Sequence, residues 1–248
     1  MVSAGRDGHI ANGAAASRAP KPVFLIGGGD HRARKKPDPL LEVVLAQAGK
    51  PRPSIAYVGV ASDDDRGFFR WLAALFQQAG SGDVRLARLA SPRANVVQAR
   101  TLLERSDIVF ISGGDVEAGM AHLDRHGLSP LLMELHRGGK PFFGVSAGSI
   151  MLARCWVRWT DPHDDASAEE FPCLGVAPVV CDMHAESDDW EELRVLLKLI
   201  GKGVGYGIPA GGALRVDLDG SVSALGRPVQ RFASRSGMVE KLTELTPS

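Results

Sequence analysis

Residues 144–148 (GVSAG) carry the strongest chemical feature of the sequence, a serine with a glycine two positions away on each side. An apolar, strand-like run ends at this segment and a helical pattern begins there. Because glycine lacks a Cβ atom, a G-x-S-x-G turn can be sharp enough to expose the Ser146 hydroxyl as a nucleophile. The alternative is a packing turn in which Ser146 only caps the helix. The strand-turn-helix context favours the nucleophile.

Backbone N–H groups that could stabilise an oxyanion lie at two strand ends. The N–H of Ala147 follows the candidate nucleophile, and Gly113 and Gly114 end the apolar run 107–112. In a parallel sheet the carboxyl ends of neighbouring strands share one edge, where ligands bind. We therefore expect Gly114 and Ala147 to form an oxyanion hole, and Gly113 and Asp115 to contact the substrate. A helix cap is the alternative role for Asp115.

A serine nucleophile needs a base, and the chain has seven histidines. His184 is favoured because it follows the strand-like run that ends at Cys181, so it lies at a strand end. His163 is the second candidate, in an acidic segment where a solvated side chain is the alternative role. The other five lie in the amino-terminal tail, after the first glycine turn or on helical segments: His9, His31, His122, His126 and His136.

The acid that would orient the base has several candidates close to His163 and His184 in the sequence. They are Asp161, Asp164, Asp165, Asp182 and Glu186. Charged residues in loops of this kind are mostly solvated. The residue types alone therefore leave the choice of acid open.

The elements that position these residues alternate between strand and helix. Near-continuous apolar runs predict strands at 22–26, 54–60, 84–89, 107–112 and 141–145. Helical spacing lies between and after them, at 39–48, 66–79, 96–105, 117–125, 129–137 and 147–154. Apolar strands that alternate with helices indicate an α/β fold with a mostly parallel sheet covered on both faces.

The pattern changes beyond residue 155. We expect an acidic loop at 160–171, a strand at 174–181 and a helix at 188–200. Residues 204–225 are rich in turns and predict short antiparallel strands at one edge of the sheet. No linker divides residues 21–248, so we expect one domain there, preceded by a disordered tail over residues 1–20.

Composition excludes several classes of function. The 248 residues carry 29 Lys and Arg against 29 Asp and Glu. This balance argues against binding of nucleic acid and against a polybasic membrane surface. Three cysteines make no disulfide framework, so a cytoplasmic location is expected. Because the sequence has no zinc motif and no apolar run of membrane-spanning length, we expect no metal and no membrane partner.

The ordered set of motifs resembles peptidase family S51. The segments are FISGGD at 110–115, GVSAG at 144–148 and DMH at 182–184, and the resemblance extends from about residue 22 onward. That family includes dipeptidase E and cyanophycinase. The resemblance implies a fold like that of class I glutamine amidotransferases, a three-layer sandwich with a mostly parallel central sheet and short antiparallel carboxyl-terminal strands.

The resemblance also implies roles for individual residues. Ser146 would be the nucleophile and His184 the general base, with Gly114 and Ala147 as oxyanion-hole donors. The family's acid about fifteen residues after the serine corresponds to Asp161, since 161 − 146 = 15. The implied activity is hydrolysis of small peptides, such as Asp-X dipeptides, without a cofactor. The sequence leaves open whether the protein forms a homo-oligomer.

Two departures from the family pattern affect the expected substrate. Ala210 stands where many relatives carry a glutamate, and the acidic run 186–192 follows His184 where relatives often place arginine. An acidic rim would favour a basic or neutral substrate end over an aspartyl side chain, although acids at a helix start are also favoured by the helix dipole. The alternatives are a cyanophycinase-like β-aspartyl peptidase, another acyl hydrolase, and a non-catalytic relative that binds a ligand.

Overall fold

A computed structural model describes residues 19–29, 38–161 and 163–247. The predicted disordered tail therefore lies almost wholly outside the described residues, as do His9 and His31. The described strands are β1 (Val23–Ile26), β2 (Ile55–Val58), β3 (Val84–Ala87), β4 (Ile108–Ile111), β5 (Phe142–Val145), β6 (Cys155–Trp159), β7 (Ala168–Pro172), β8 (Val180–Met183), β9 (Lys202–Ile208), β10 (Ala213–Val216), β11 (Val222–Leu225), β12 (Val229–Arg235) and β13 (Met238–Leu245).

Seven α-helices occur in the described part of the chain, and most of them connect strands of the first sheet. Six of them begin at a polar or strained cap residue. The aspartates at 38, 65 and 115, for example, accept an N–H of the first turn. The helices are α1 (Pro39–Ala46), α2 (Arg66–Gln78), α3 (Val96–Arg105), α4 (Val116–Arg125), α5 (Ser129–Arg137), α6 (Ala147–Leu152) and α7 (Glu191–Ile200).

The largest sheet has seven strands in the order β11-β10-β1-β5-β4-β2-β3. Strands β1 to β5 are parallel to one another, whereas β10 pairs antiparallel with β1 and β11 antiparallel with β10. This confirms the predicted mostly parallel sheet with antiparallel strands at one edge. It also confirms that β4 and β5 are neighbours, which brings the turn after β4 beside the turn after β5.

Helices cover both faces of this sheet, so its strands are buried on both sides. In β4, for example, Val109 and Ile111 belong to the core under α3, α4, α5 and α6, while Ile108 and Phe110 belong to the core under α1 and α2. Such two-sided burial is the reason that the strands are continuous apolar runs. The predicted three-layer arrangement is therefore present.

A second sheet, in the order β13-β12-β9-β8, supplies the strand that precedes His184. Its β8 and β9 are parallel and its other pairs are antiparallel. Helix α6 is wholly buried and contacts β5 of the first sheet as well as β8 of the second. Phe142 of β5 and Met183 of β8 share one apolar core with α6, so this short helix joins the two sheets.

Three expectations for the carboxyl-terminal half need correction. The predicted acidic loop at 160–171 includes part of a strand, because β7 pairs with the aromatic strand β6. The predicted strand at 174–181 is wrong over 174–179, where the chain forms bends and turns, and β8 extends instead to Met183. Of the edge strands predicted at 204–225, only β10 and β11 belong to the first sheet, because β9 lies in the second sheet with β12 and β13, which were not expected.

Candidate active site

Ser146 occupies a strained turn between β5 and α6. Its φ is +53°, a value that residues other than glycine rarely adopt. A Cβ atom on Gly144 would lie 2.5 Å from the carbonyl carbon and oxygen of Gly148, and one on Gly148 would lie 2.1 Å from the oxygen of Ile111. Both glycines of the motif are therefore required by close backbone contacts, and the turn has the geometry expected of a nucleophile elbow.

Three hydrogen bonds join Ser146 and Ser149 to Ile26 at the end of β1. The Ser146 N–H donates to the oxygen of Ile26 at 2.9 Å. The fully buried Ser149 hydroxyl accepts the N–H of Ile26 at 2.9 Å and donates to its carbonyl oxygen at 3.1 Å. Ser149 was not among the residues predicted from the sequence, although a serine in the middle of an otherwise apolar helix is a possible signal.

His184 follows β8 directly and faces the serine. Its backbone N–H donates to the oxygen of Ile208 at 2.9 Å, which extends the pairing of β8 with β9 by one residue. Its Nε2 lies 2.8 Å from Oγ of Ser146. With the proton on Nδ1, the ring can accept the hydroxyl hydrogen of the serine. The structure thus brings together the two residues that the sequence predicted as nucleophile and base.

The predicted oxyanion donors lie at the same edge. A Cβ atom on Gly113 would be 3.1 Å from Cβ of Ser146, and one on Gly114 would be 1.8 Å from the oxygen of Ala61. The N–H groups of Gly113 and Gly114 make no backbone hydrogen bond to any described residue. Ala147 begins α6, so its N–H lacks a partner within the helix. Gly114 and Ala147 both line the cavity at Ser146.

The cavity around the Ser146–His184 pair has a volume of about 380 Å³. Three larger cavities, of about 680, 890 and 530 Å³, are lined by neither residue. None of the residues that line the cavity at Ser146 is an arginine or lysine. Five of them are carboxylates: Asp115, Glu117, Asp182, Asp188 and Glu192. Of the predicted substrate contacts, Asp115 lines the cavity and also caps α4 through the N–H of Ala118. Gly113 lies against Ser146.

Two of these acids, the buried Asp182 and the half-buried Glu192, have raised pKa values. Burial raises the pKa of Asp182 to about 7, although the nearby N–H groups of Met183 and Leu193 lower it, and Glu192 and Asp188 raise it further by repulsion. Burial also raises the pKa of Glu192, whose Oε2 accepts the indole N–H of Trp156 at 3.0 Å. From the sequence, Asp182 was only one of several candidates for the acid that orients the histidine. Burial of a single carboxylate leaves no sequence pattern that would distinguish it.

The structure does not bring Asp161 to His184. The exposed Asp161 lies in the loop between β6 and β7, where its Oδ1 accepts the N–H of His163 at 2.9 Å and its own N–H donates to Oγ of Ser167 at 3.0 Å. No hydrogen bond joins it to His184 within the described residues. The physical reason is the β6–β7 hairpin, because pairing of these strands holds Asp161 at the hairpin tip.

Glu186 makes a different contact near the base. Its Oε1 accepts the backbone N–H of Ala210 at 2.9 Å, and the oxygen of Ala210 accepts a hydrogen bond from Arg227 at 3.1 Å. Ala210 is the position at which the resemblance implied a glutamate. Glu186 therefore attaches the segment after His184 to the loop that follows β9.

None of the other described histidines lines the cavity at Ser146. His163 is exposed in the β6–β7 loop. His136 is buried, and its Nε2 lies at hydrogen-bonding distance, 2.8 Å, from the oxygen of Lys21. Nε2 of His126 lies 2.8 Å from the oxygen of Leu89. No group of three or more His, Cys, Asp or Glu in the described ranges is placed to hold a metal ion. None of the helices described there is long and apolar enough to cross a bilayer.

The fold and the site together define a class. A serine on a strained strand-to-helix turn, with a histidine at hydrogen-bonding distance and free N–H groups beside it, is the arrangement of α/β serine hydrolases. The family model described as "Peptidase family S51" matches residues 23–223. The chain belongs to peptidase family S51.

The chain is also similar to individual proteins. Peptidase E of Streptomyces coelicolor is 34% identical over 82 residues, 33% of this chain and 33% of that protein. Pyridoxal 5'-phosphate synthase subunit PdxT of Geobacillus stearothermophilus is 28% identical over 123 residues, 50% of this chain and 58% of that subunit. The chain thus spans less than two thirds of the length of these curated relatives. A solved peptidase structure from an acI-B1 Actinobacterium has a TM-score of 0.68 at 15% identity, covering 93% of this chain and 98% of that one.

Proposed function

We propose that this chain is a serine peptidase that hydrolyses small peptides through an acyl-enzyme formed on Ser146. The observation that carries the proposal is the 2.8 Å distance between Oγ of Ser146 and Nε2 of His184, at a turn whose glycines are sterically required. Membership of peptidase family S51 supports the reaction class.

The proposed reaction follows from the atoms at the site. Nε2 of His184 takes the hydroxyl proton while Oγ of Ser146 attacks the scissile carbonyl carbon. The N–H groups of Gly114 and Ala147 stabilise the oxyanion of the tetrahedral intermediate. The C–N bond then breaks, and the imidazolium gives its proton to the leaving amine. Water, deprotonated by the same ring, hydrolyses the ester and restores the serine.

The catalytic unit proposed here is a pair rather than the expected triad. Asp161 makes its contacts within its own loop, and Glu186 bonds to the backbone of Ala210. His184 is held instead through its backbone, by the bond from its N–H to Ile208. Such a pair retains the base and the oxyanion donors, which are the groups that act on the reacting atoms.

An Asp-X dipeptide remains one substrate of this proposal, as the resemblance implies. An aspartyl side chain needs a cationic partner, and none of the residues lining the cavity at Ser146 is Arg or Lys. We therefore propose small peptides as the substrate class and test Asp-X, neutral and β-Asp-Arg dipeptides side by side. Acyl esters belong in the same panel because the chemistry of the serine does not distinguish amides from esters.

The experiment is hydrolysis by the purified full chain together with labelling by a fluorophosphonate. Ser146→Ala should lower kcat/KM by roughly 10⁴-fold or more and abolish labelling. His184→Ala should lower both as well. Ser221→Ala is the matched control: it changes an exposed serine on the turn between β10 and β11 and should leave both readouts unchanged.

The result also separates the alternatives. Stoichiometric labelling of Ser146 in the wild type, with hydrolysis of at least one substrate, supports the peptidase or another acyl hydrolase, and the substrate panel distinguishes these. A folded wild-type protein that neither labels nor hydrolyses any substrate would identify a non-catalytic relative and overturn the proposal.

A further inference from the structure

The turn after β4, which carries the proposed oxyanion donor Gly114, lies directly against the turn after β2. The N–H of Asp115 donates to the oxygen of Ala61 at 2.7 Å. A Cβ atom on Gly114 would lie 1.8 Å from the same oxygen, so the two backbones are in contact. Oγ of Ser62 lies 3.3 Å from Oγ of the fully buried Ser112. The place of the Gly114 N–H therefore depends on the place of the turn after β2.

The turn after β2, residues 59–65, has an unusual backbone. Asp63 and Asp64 both have a φ of +53°, in the left-handed region that residues other than glycine rarely adopt. Aspartate enters this region more readily than most residues, but usually one residue at a time. Backbone strain of this kind persists only where other contacts hold it, and it is concentrated at functional sites. The contacts that hold residues 59–65 are therefore of functional interest.

Asp64 makes the contacts that hold this turn. Its Oδ2 accepts the N–H of Leu89 at 2.6 Å and the N–H of Ala90 at 2.8 Å, in the segment that follows β3. Hydrogen bonds to a carboxylate are stronger than those between neutral groups. The N–H of Asp64 donates to the oxygen of Gly59 at 3.0 Å, which closes the turn. Asp64 thus joins the segment after β3 to the turn that contacts Gly114.

We propose that Asp64 is a positioning residue for the oxyanion hole. The inference rests on the proposed peptidase function and goes beyond it, because Asp64 does not line the cavity at Ser146 and acts only through the turn after β2. That turn holds the N–H of Gly114 where negative charge develops on the substrate oxygen. Because this charge appears only as the transition state is approached, loss of the positioning should lower kcat more than it changes KM.

The test is Asp64→Gly in the full chain, with the best substrate of the panel. Glycine adopts a φ of +53° without strain, so this change removes the carboxylate and leaves the backbone free to keep its conformation. We expect kcat to fall by about tenfold or more while KM changes little. A peptidyl trifluoromethyl ketone gives a second readout. Oγ of Ser146 adds to its carbonyl carbon, the hydroxyl proton passes to His184, and the resulting oxyanion occupies the hole, so its inhibition constant should rise by a similar factor.

Three further variants separate positioning from charge, backbone and stability. Asp63→Gly makes the same change at the neighbouring position, where φ is equal and the exposed carboxylate makes no hydrogen bond to a described residue, and it should leave both readouts unchanged. Asp64→Asn keeps an oxygen for the two N–H groups and should retain most of the activity. Asp107→Ala removes a carboxylate that accepts the N–H of Ser54 at 3.0 Å, at the opposite end of β2 and β4. It should lower the urea midpoint without changing kcat or the inhibition constant.

The outcomes distinguish this inference from the proposed function. If Asp64→Gly lowers the urea midpoint as Asp107→Ala does but keeps kcat and the inhibition constant, the positioning role is refuted while the peptidase stands. Equal losses of kcat in Asp64→Gly and Asp63→Gly would refute it as well. Should the glycine variant fail to fold, Asp64→Ser, whose polar side chain is one bond shorter, is measured with the same two readouts. If the wild type neither hydrolyses a substrate nor reacts with the fluorophosphonate, the proposed function is what has failed.

Discussion

The hydroxyl of Ser149 makes hydrogen bonds with both backbone polar atoms of Ile26, accepting its N–H at 2.9 Å and donating to its carbonyl oxygen at 3.1 Å. Both residues are buried. The bonds attach α6 to the carboxyl end of β1, and the N–H of Ser146 donates to the same carbonyl oxygen. Ile26 therefore makes hydrogen bonds both with the turn at Ser146 and with the helix that follows it.

Replacing Ser149 with alanine should lower the free energy of unfolding by roughly 1–3 kcal/mol, because the buried N–H of Ile26 loses its acceptor. Urea unfolding followed by circular dichroism measures the change. Ser221→Ala, on an exposed turn, should alter stability by less than about 0.5 kcal/mol. Equal effects of the two substitutions would show that the bond to Ile26 contributes nothing to stability.

Gly144→Ala should destabilise the protein by about 3 kcal/mol or prevent folding. The new Cβ would lie 2.5 Å from the backbone of Gly148, and neither of these two backbone segments can move away. The comparison is Gly49→Ala, where φ is +65° but no atom lies within 4 Å. The left-handed backbone alone costs about 1–2 kcal/mol there. Soluble yield and urea unfolding provide the readout, and a smaller effect at Gly144 than at Gly49 would contradict the steric account.

Asp182→Asn should change how stability depends on pH. The pKa of Asp182 in the folded protein is about 7 because of burial, against an ordinary value of 3.8. Between these values the folded chain binds more protons than the unfolded chain, so this residue makes stability fall as pH rises. The asparagine variant lacks this proton and should gain stability relative to wild type from pH 4 to pH 7, by at most about 4 kcal/mol.

That comparison is made as a difference because other ionisable groups lie near Asp182. Glu192 and Asp188 repel its charge, and His184 lines the same cavity. These groups are present in both proteins, so the difference between the two curves of unfolding free energy against pH isolates Asp182. Parallel curves would mean that this carboxyl does not hold its proton in the folded state.

Glu186→Ala should lower kcat/KM by about tenfold, since the segment after His184 loses its bond to the N–H of Ala210 and the base is positioned less well. Glu186→Gln keeps an oxygen acceptor and should retain most of the activity. Because the side chain is exposed, neither change should move the urea midpoint much. Equal loss in both variants would point to a role for the charge rather than for the bond.

The central sheet and the catalytic pair could be predicted because their causes are local. Strands such as β4 are continuous apolar runs, and the glycines after β4 and around Ser146 are imposed by close backbone contacts. His184 was found by its place after a strand, although that strand proved to lie in a second sheet. His184 lies beside Ser146, as predicted, because α6 packs against both sheets. No local sequence pattern contains that packing.

The second sheet and the acids could not be predicted in this way. Strand β9 is rich in glycine, and β13 alternates mostly between exposed and half-buried positions, so neither carries the apolar signal of a buried strand. The acidic strand β7 is stabilised by Arg158, which pairs with Glu169 and lies over the ring of Phe171, contacts that depend on the hairpin partner. Asp161 was assigned by its spacing from Ser146. Spacing along the chain does not predict where the tip of the β6–β7 hairpin lies relative to His184.

The division of the catalytic pair between two sheets has a consequence for the biosynthesis of the protein. Ser146 leaves the ribosome before His184, and the second sheet is complete only when β12 and β13, near the end of the chain, have been made. Until that sheet has docked against α6, the serine has no base. On the mechanism proposed for Ser146 and His184, a nascent or partly folded chain would therefore have little hydrolase activity.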